Sequence, residues 1–165
     1  MLYSKHIDLI TPELVYFLNT PTQAAFFKTI STALVDQQIM VPAGKEALIT
    51  REQTFPSGMQ LNEVADGLPN IAIPHLEGEL VKQTRLVVVH FAIPVAFKDL
   101  ADASRILPVN WVFMLMNAEP QKQPERMAQL IRALTQSPAA QLKRLFAAKK
   151  AAQVARLLTP LMTEA

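Results

Sequence analysis

The sequence predicts an α/β fold: a single domain over residues 1–165 in three layers, a mixed sheet of four to five strands flanked by helices. Three observations lead there. Two runs, Arg85–Ile93 (containing LVVVHFAI) and Val109–Met116 (VNWVFMLM), are apolar on both faces, the pattern of strands covered on each side. Segments with helical spacing of apolar residues stand before and after these runs. The chain has 165 residues and is 50% hydrophobic, a size at which a domain buries roughly 70% of its unfolded surface.

The elements follow in order. Leu14–Leu18 is a short apolar run and is assigned as a strand. Thr20-Pro-Thr opens a helix, with proline where it forfeits no hydrogen bond. Phe27, Ile30 and Leu34 carry that helix over about Thr22–Gln38. A second, short helix spans about Ala43–Thr54 and is stopped by Phe55-Pro-Ser-Gly. Ile71–Ile73 is a brief strand, which the chain leaves near Pro74, because a residue before proline is pushed into extended geometry. Arg85–Ile93, Val95–Phe97 and Val109–Met116 supply the remaining strands. Met127, Leu130, Ile131 and Leu134 mark a helix over about Pro124–Gln136. Two more helices cover Pro138–Ala147 and Ala151–Leu161.

Composition removes several function classes. A net charge of +2 is too small to attract nucleic acid, and the C-terminal Lys and Arg residues are spaced like solvated helix faces. With no cysteine there is no disulfide, thiolate zinc site or cysteine nucleophile, which suits a reducing compartment. The opening MLYSKHIDLITPEL lacks the apolar stretch of a signal peptide, and no run approaches the roughly 20 residues of a membrane helix. These features predict a soluble, cytoplasmic protein. The four glycines form no GxxxxGK[ST] loop, and GxSxG is absent, so neither a nucleotide cradle nor a nucleophile elbow is supported.

Three histidines remain. His6 lies in a polar segment and reads as solvated. His90, inside LVVVHFAI, reads as a hydrogen-bonded core residue. No two histidines stand at i,i+3 or i,i+4, and no metal site is expected. His75 follows Pro74 just beyond a strand end, where α/β folds build sites. Arg51-Glu52, near the end of the second helix, reads either as a solvated pair or as a phosphate site, since the planar guanidinium fork matches phosphate oxygens.

The blocks ALITREQTFPSG and NIAIPH together resemble the signature of mannitol/fructose-type (type 2) IIA domains of the sugar phosphotransferase system. In that family a short helix ends in Arg-Glu, a turn follows, and a small-residue strand delivers Pro-His. PVNWVFMLMNAEP and PERMAQLIRAL resemble its core strand and the helix after it, so the likeness runs from about Leu14 to Leu161.

The resemblance implies a phosphorelay. His75 would take a phosphoryl group from the phosphocarrier HPr and pass it to a IIB component, with membrane association only indirect, through IIC. Arg51 would bind the phosphate, with Glu52 and Arg126 in support, and no metal or cofactor is implied. Arg126 stands where mannitol-type members carry a second histidine, which argues against a mannitol enzyme. TREQTFPSG…IAIPHLE is closer to galactitol-type proteins, which resemble it in lacking that histidine. Leu76 would add apolar surface for docking. An alternative is a regulatory module whose His75 phosphorylation state signals to a partner without transport.

Overall fold

The computed structural model describes residues 8–165, so the expectation for His6 falls outside the described residues. Alternation of side chains along a strand sends successive residues to opposite faces. In β5 (Arg85–Lys98), Val87 and Val89 enter one core while Leu86 and Val88 enter another. In β6 (Ile106–Asn117), Val112, Met114 and Met116 join the first core, and Trp111, Phe113 and Leu115 the second. Both runs are therefore buried on two sides, as their composition predicts.

The first core is covered by α1 (Gln23–Asp36) and α2 (Gly44–Thr54) through Phe26, Phe27, Ile30, Leu34 and Leu48. Thr22 starts α1 by accepting a hydrogen bond from the Ala25 amide at 3.1 Å. The second core is covered by α3 (Gln123–Gln136), α4 (Ala139–Phe146) and α5 (Ala151–Glu164). Their inward residues include Leu130, Leu134, Leu142, Leu145, Val154 and Leu158. The three-layer reading holds.

The sheet is mixed, as expected, but has six strands rather than four to five. Its order is β1 (Val15–Leu18), β5, β6, β3 (Asn70–Ala72), β2 (Gly58–Gln60), and β4 (His75–Glu77) pairs with β6 beyond β3. β1 lies parallel to β5, and β3 and β4 lie parallel to β6; β5–β6 and β2–β3 are antiparallel. β2 and β4 were not anticipated. Three residues are too few to display a period of two, and backbone pairing to a neighbour alone defines them.

The expected strands Arg85–Ile93 and Val95–Phe97 are one strand with a register shift between His90 and Val95. Pro94 lies in that interval and has no amide hydrogen to donate, so the ladder breaks without the strand ending. The brief strand at Ile71–Ile73 is shifted to Asn70–Ala72. Gly58, at the start of β2, passes so close to β5 that a Cβ would meet the Lys98 carbonyl oxygen at 2.6 Å. Among the described residues, no helix is long and apolar enough to cross a membrane.

Candidate functional site

The last turn of α2 carries both Arg51 and Glu52, which as neighbours on a helix point in different directions. Glu52 turns inward and is buried. Its two carboxylate oxygens accept hydrogen bonds from the Ser57 amide at 3.0 Å and the Ser57 hydroxyl at 2.8 Å. Burial pushes its pKa up to about 7, against the opposing pull of these two bonds. Ser57 in turn accepts from the Ile73 amide at 3.1 Å. The end of α2 is thus tied, through one buried carboxylate and one turn, to the segment that delivers Pro74 and His75.

His75 opens β4, so it stands at the start of a strand rather than just past the end of one. The Ile73 carbonyl lies 3.1 Å from its Nδ1. A carbonyl can only accept, so Nδ1 carries the proton and Nε2 keeps its lone pair. The ring is half-buried, and its pKa falls below the ordinary 6.5, first because burial disfavours the imidazolium. The Ile73 bond opposes this, Arg51 lowers the pKa further, and Glu77 raises it. At neutral pH the group is an uncharged imidazole with one nucleophilic nitrogen, held in a single tautomer.

Arg51 reaches the same place. Its Nη2 donates to Glu77 Oε1 at 3.2 Å, with the two side chains 33% and 28% exposed. Glu77 is two residues beyond His75 and so shares its face of β4. Gly78 follows with φ +96°, and its amide donates to the Asn117 carbonyl at 2.9 Å, which ends the strand. Leu76, between the two, points the other way into the first core. It is buried, which corrects its assignment to a docking surface; the exposed apolar side chain next to Arg51 is Phe55.

Asn117 is the register partner of Glu77. Its side chain is fully buried and gathers a polar cluster at the end of β6. Its Oδ1 accepts from the Glu119 amide at 3.1 Å and from Arg126 Nη1, and its Nδ2 donates to Gln123 Oε1 at 2.8 Å. Arg126, in the first turn of α3, also donates to Glu119 Oε1 at 2.9 Å. A cation at a helix N-terminus opposes the helix dipole; these two acceptors offset that cost. Nη1 donates to Asn117 and Nη2 to Glu119, at the same end of the sheet as His75.

His75, Arg51 and Arg126 are therefore gathered at one end of the sheet, with Glu52 one layer behind them. His90 is elsewhere and is not the hydrogen-bonded core residue expected. It is partly exposed at the register shift of β5, and its ring packs against Trp111 (centroids 4.6 Å apart) and Phe17 (5.6 Å). Sequence reasoning gave no role to Ser57, Glu77 or Asn117. Asn117 had a signal: it is the polar residue that ends the two-sided run VFMLM. Among the described residues, no three His, Asp or Glu side chains converge as a metal site would require.

Comparisons with known proteins agree with this fold. Nitrogen regulatory protein IIA-Ntr from Neisseria meningitidis superposes with a TM-score of 0.69 at 20% identity, covering 92% of this chain and 97% of that one. IIA mannitol from Escherichia coli superposes with a TM-score of 0.67 at 19% identity, covering 91% and 99%. The same TM-score and identity are found for enzyme IIAMtl from Escherichia coli in its complex with phosphorylated enzyme IIBMtl, covering 92% and 97%. At these identities the likeness is one of fold. No curated protein matches the chain. The family model described as the phosphoenolpyruvate-dependent sugar phosphotransferase system, EIIA 2, matches residues 8–160, and the chain belongs to that family.

Proposed function

We propose that the protein is a phosphocarrier of a sugar phosphotransferase system, taking a phosphoryl group on His75 Nε2 from phospho-HPr and passing it to a IIB component. The observation that carries the proposal is the His75 tautomer. With Nδ1–H bonded to the Ile73 carbonyl, Nε2 presents a lone pair next to an arginine. The Nε2 lone pair attacks phosphorus, and the bond from phosphorus to the donor histidine breaks, returning its electron pair to that ring. The Ile73 carbonyl then supports the positive charge that develops on the His75 ring. Arg51 supplies the charge stabilisation on which phosphoryl transfer mainly depends.

The same half-exposed His75 serves donor and acceptor in turn, so both complexes are transient and modest in area. A IIB partner is supported by the similar mannitol IIA, which was solved in complex with phosphorylated IIB. We place the protein in the cytoplasm, with access to the membrane only through IIC, and assign it to a galactitol-like sugar on the likeness of TREQTFPSG…IAIPHLE and on Arg126. Phospho-HPr supplies the test, with nitrogen-bound phosphorus followed by ³¹P NMR. Wild type is labelled, His75→Ala stays folded and unlabelled, and Arg51→Ala is labelled on the order of 10²-fold more slowly. Label on His75→Ala sinks the assignment. Subsequent loss of label to a cognate IIB supports transport, whereas a stable phosphohistidine with no acceptor favours a regulatory role.

A further inference from the structure

Glu77 presents a carboxylate where a phosphocarrier needs room for a dianion. It shares a strand face with His75, and its Oε1 accepts from Arg51 Nη2 at 3.2 Å. Its Oε2 is buried and has no hydrogen-bond partner. An unpaired buried carboxylate oxygen is costly to keep, and a single 3.2 Å bond between two partly exposed side chains contributes little to stability. Neither fact recommends the residue as a structural element. Its backbone is nonetheless fixed on both sides, by pairing with Asn117 and by the turn at Gly78.

Resting on the phosphocarrier reading, we propose that Glu77 is a positioning residue. It holds Arg51 beside the empty imidazole and yields it to the phosphoryl group. The carboxylate acts as a stand-in for the phosphate oxygens. When Nε2 becomes phosphorylated, the phosphoryl group competes with the Glu77 carboxylate for Arg51 Nη2, and the single 3.2 Å bond between Arg51 and Glu77 opens. Opening the pair, together with repulsion between carboxylate and phosphoryl group, raises the free energy of the phosphorylated state. A carrier benefits from this: Arg51 is oriented before the donor arrives, and the phosphoryl group is not bound too tightly to leave.

The test is the equilibrium between phospho-HPr and this protein, measured for wild type, Glu77→Gln and Glu77→Ala, each with and without Arg51→Ala. Both Glu77 variants are expected to shift the equilibrium toward phosphorylated His75, on the order of tenfold, and the shift shrinks when Arg51 is absent. A proton NMR titration gives a second readout, which simple loss of packing would not produce in this direction. His75 titrates at lower pH in Glu77→Gln, because the carboxylate favours the imidazolium while Arg51 opposes it. Wild type that takes label while the Glu77 variants leave the equilibrium unmoved overturns this inference alone. So does a shift of the same size with and without Arg51, which assigns the effect to charge acting directly. Wild type that takes no label overturns the carrier reading and this inference together.

Discussion

At the scale of single residues, two titrations separate reactivity from stability. His75 is held below the ordinary 6.5, first by burial and then by Arg51, so its reactive neutral form predominates at pH 7. The phosphorylation rate is therefore expected to fall on acidification with its midpoint below 6.5. A pH–rate profile with its midpoint above 6.5 contradicts the description of the ring's surroundings. Glu52 behaves in the opposite sense. Its pKa rises from 4.5 to about 7 on folding, so its contribution to stability is complete below 4.5 and disappears as pH climbs through 7. Glu52→Gln keeps an acceptor for Ser57 and does not titrate. Its stability relative to wild type should rise between pH 4.5 and 7 by up to about 3 kcal/mol. Urea unfolding of both proteins at pH 5 and pH 8 gives the comparison; parallel values at the two pH values refute it.

The residues that carry this chemistry were named in the sequence; their titrations were not. Pro-His after a short strand and Arg-Glu at the end of a short helix were the segments singled out. The partners of those residues were not legible. Glu52 meets Ser57 across a turn, Arg51 meets Glu77 across 26 positions, and Arg126 meets Asn117 from another element. No spacing rule connects such pairs, because the sheet brings them together.

At the scale of elements, long segments with a clear period were readable and three-residue strands were not. The helices and the central strands declare themselves through side chains repeated along one face. β2 and β4 exist because a neighbour offers hydrogen bonds. Gly58 shows how tightly such a short element is held. With the Lys98 carbonyl 2.6 Å from where a Cβ would stand, Gly58→Ala must push β2 away from β5. A loss of about 1–3 kcal/mol is expected, as for overpacking elsewhere, measured by urea or thermal unfolding. A neutral outcome would mean that β2 can shift freely, and with it the Ser57 turn that ties down Glu52.

At the scale of the whole molecule, the two cores share β5 and β6. Neither core can lose its packing without disturbing the strands that bound the other. Leu34→Ala, under α1, and Leu158→Ala, under α5, each empty a fully buried site in a different core. Each is expected to cost about 2–5 kcal/mol, and each should leave a single urea transition of unchanged slope. A two-step transition in either variant would show that the cores unfold separately.

The sequence by itself determined which segments are helices and long strands, and that the central strands are covered on both sides; that His75 and Arg51 belong together was implied only by the family resemblance. The first two properties are written in local order: spacing, proline position and the alternation of apolar side chains. Tertiary structure alone decided the strand order, the parallel pairing of β4 with the end of β6, and which carboxylate faces which arginine. These depend on distances between residues far apart in the chain, and such distances are set only when both faces of the sheet are buried at once.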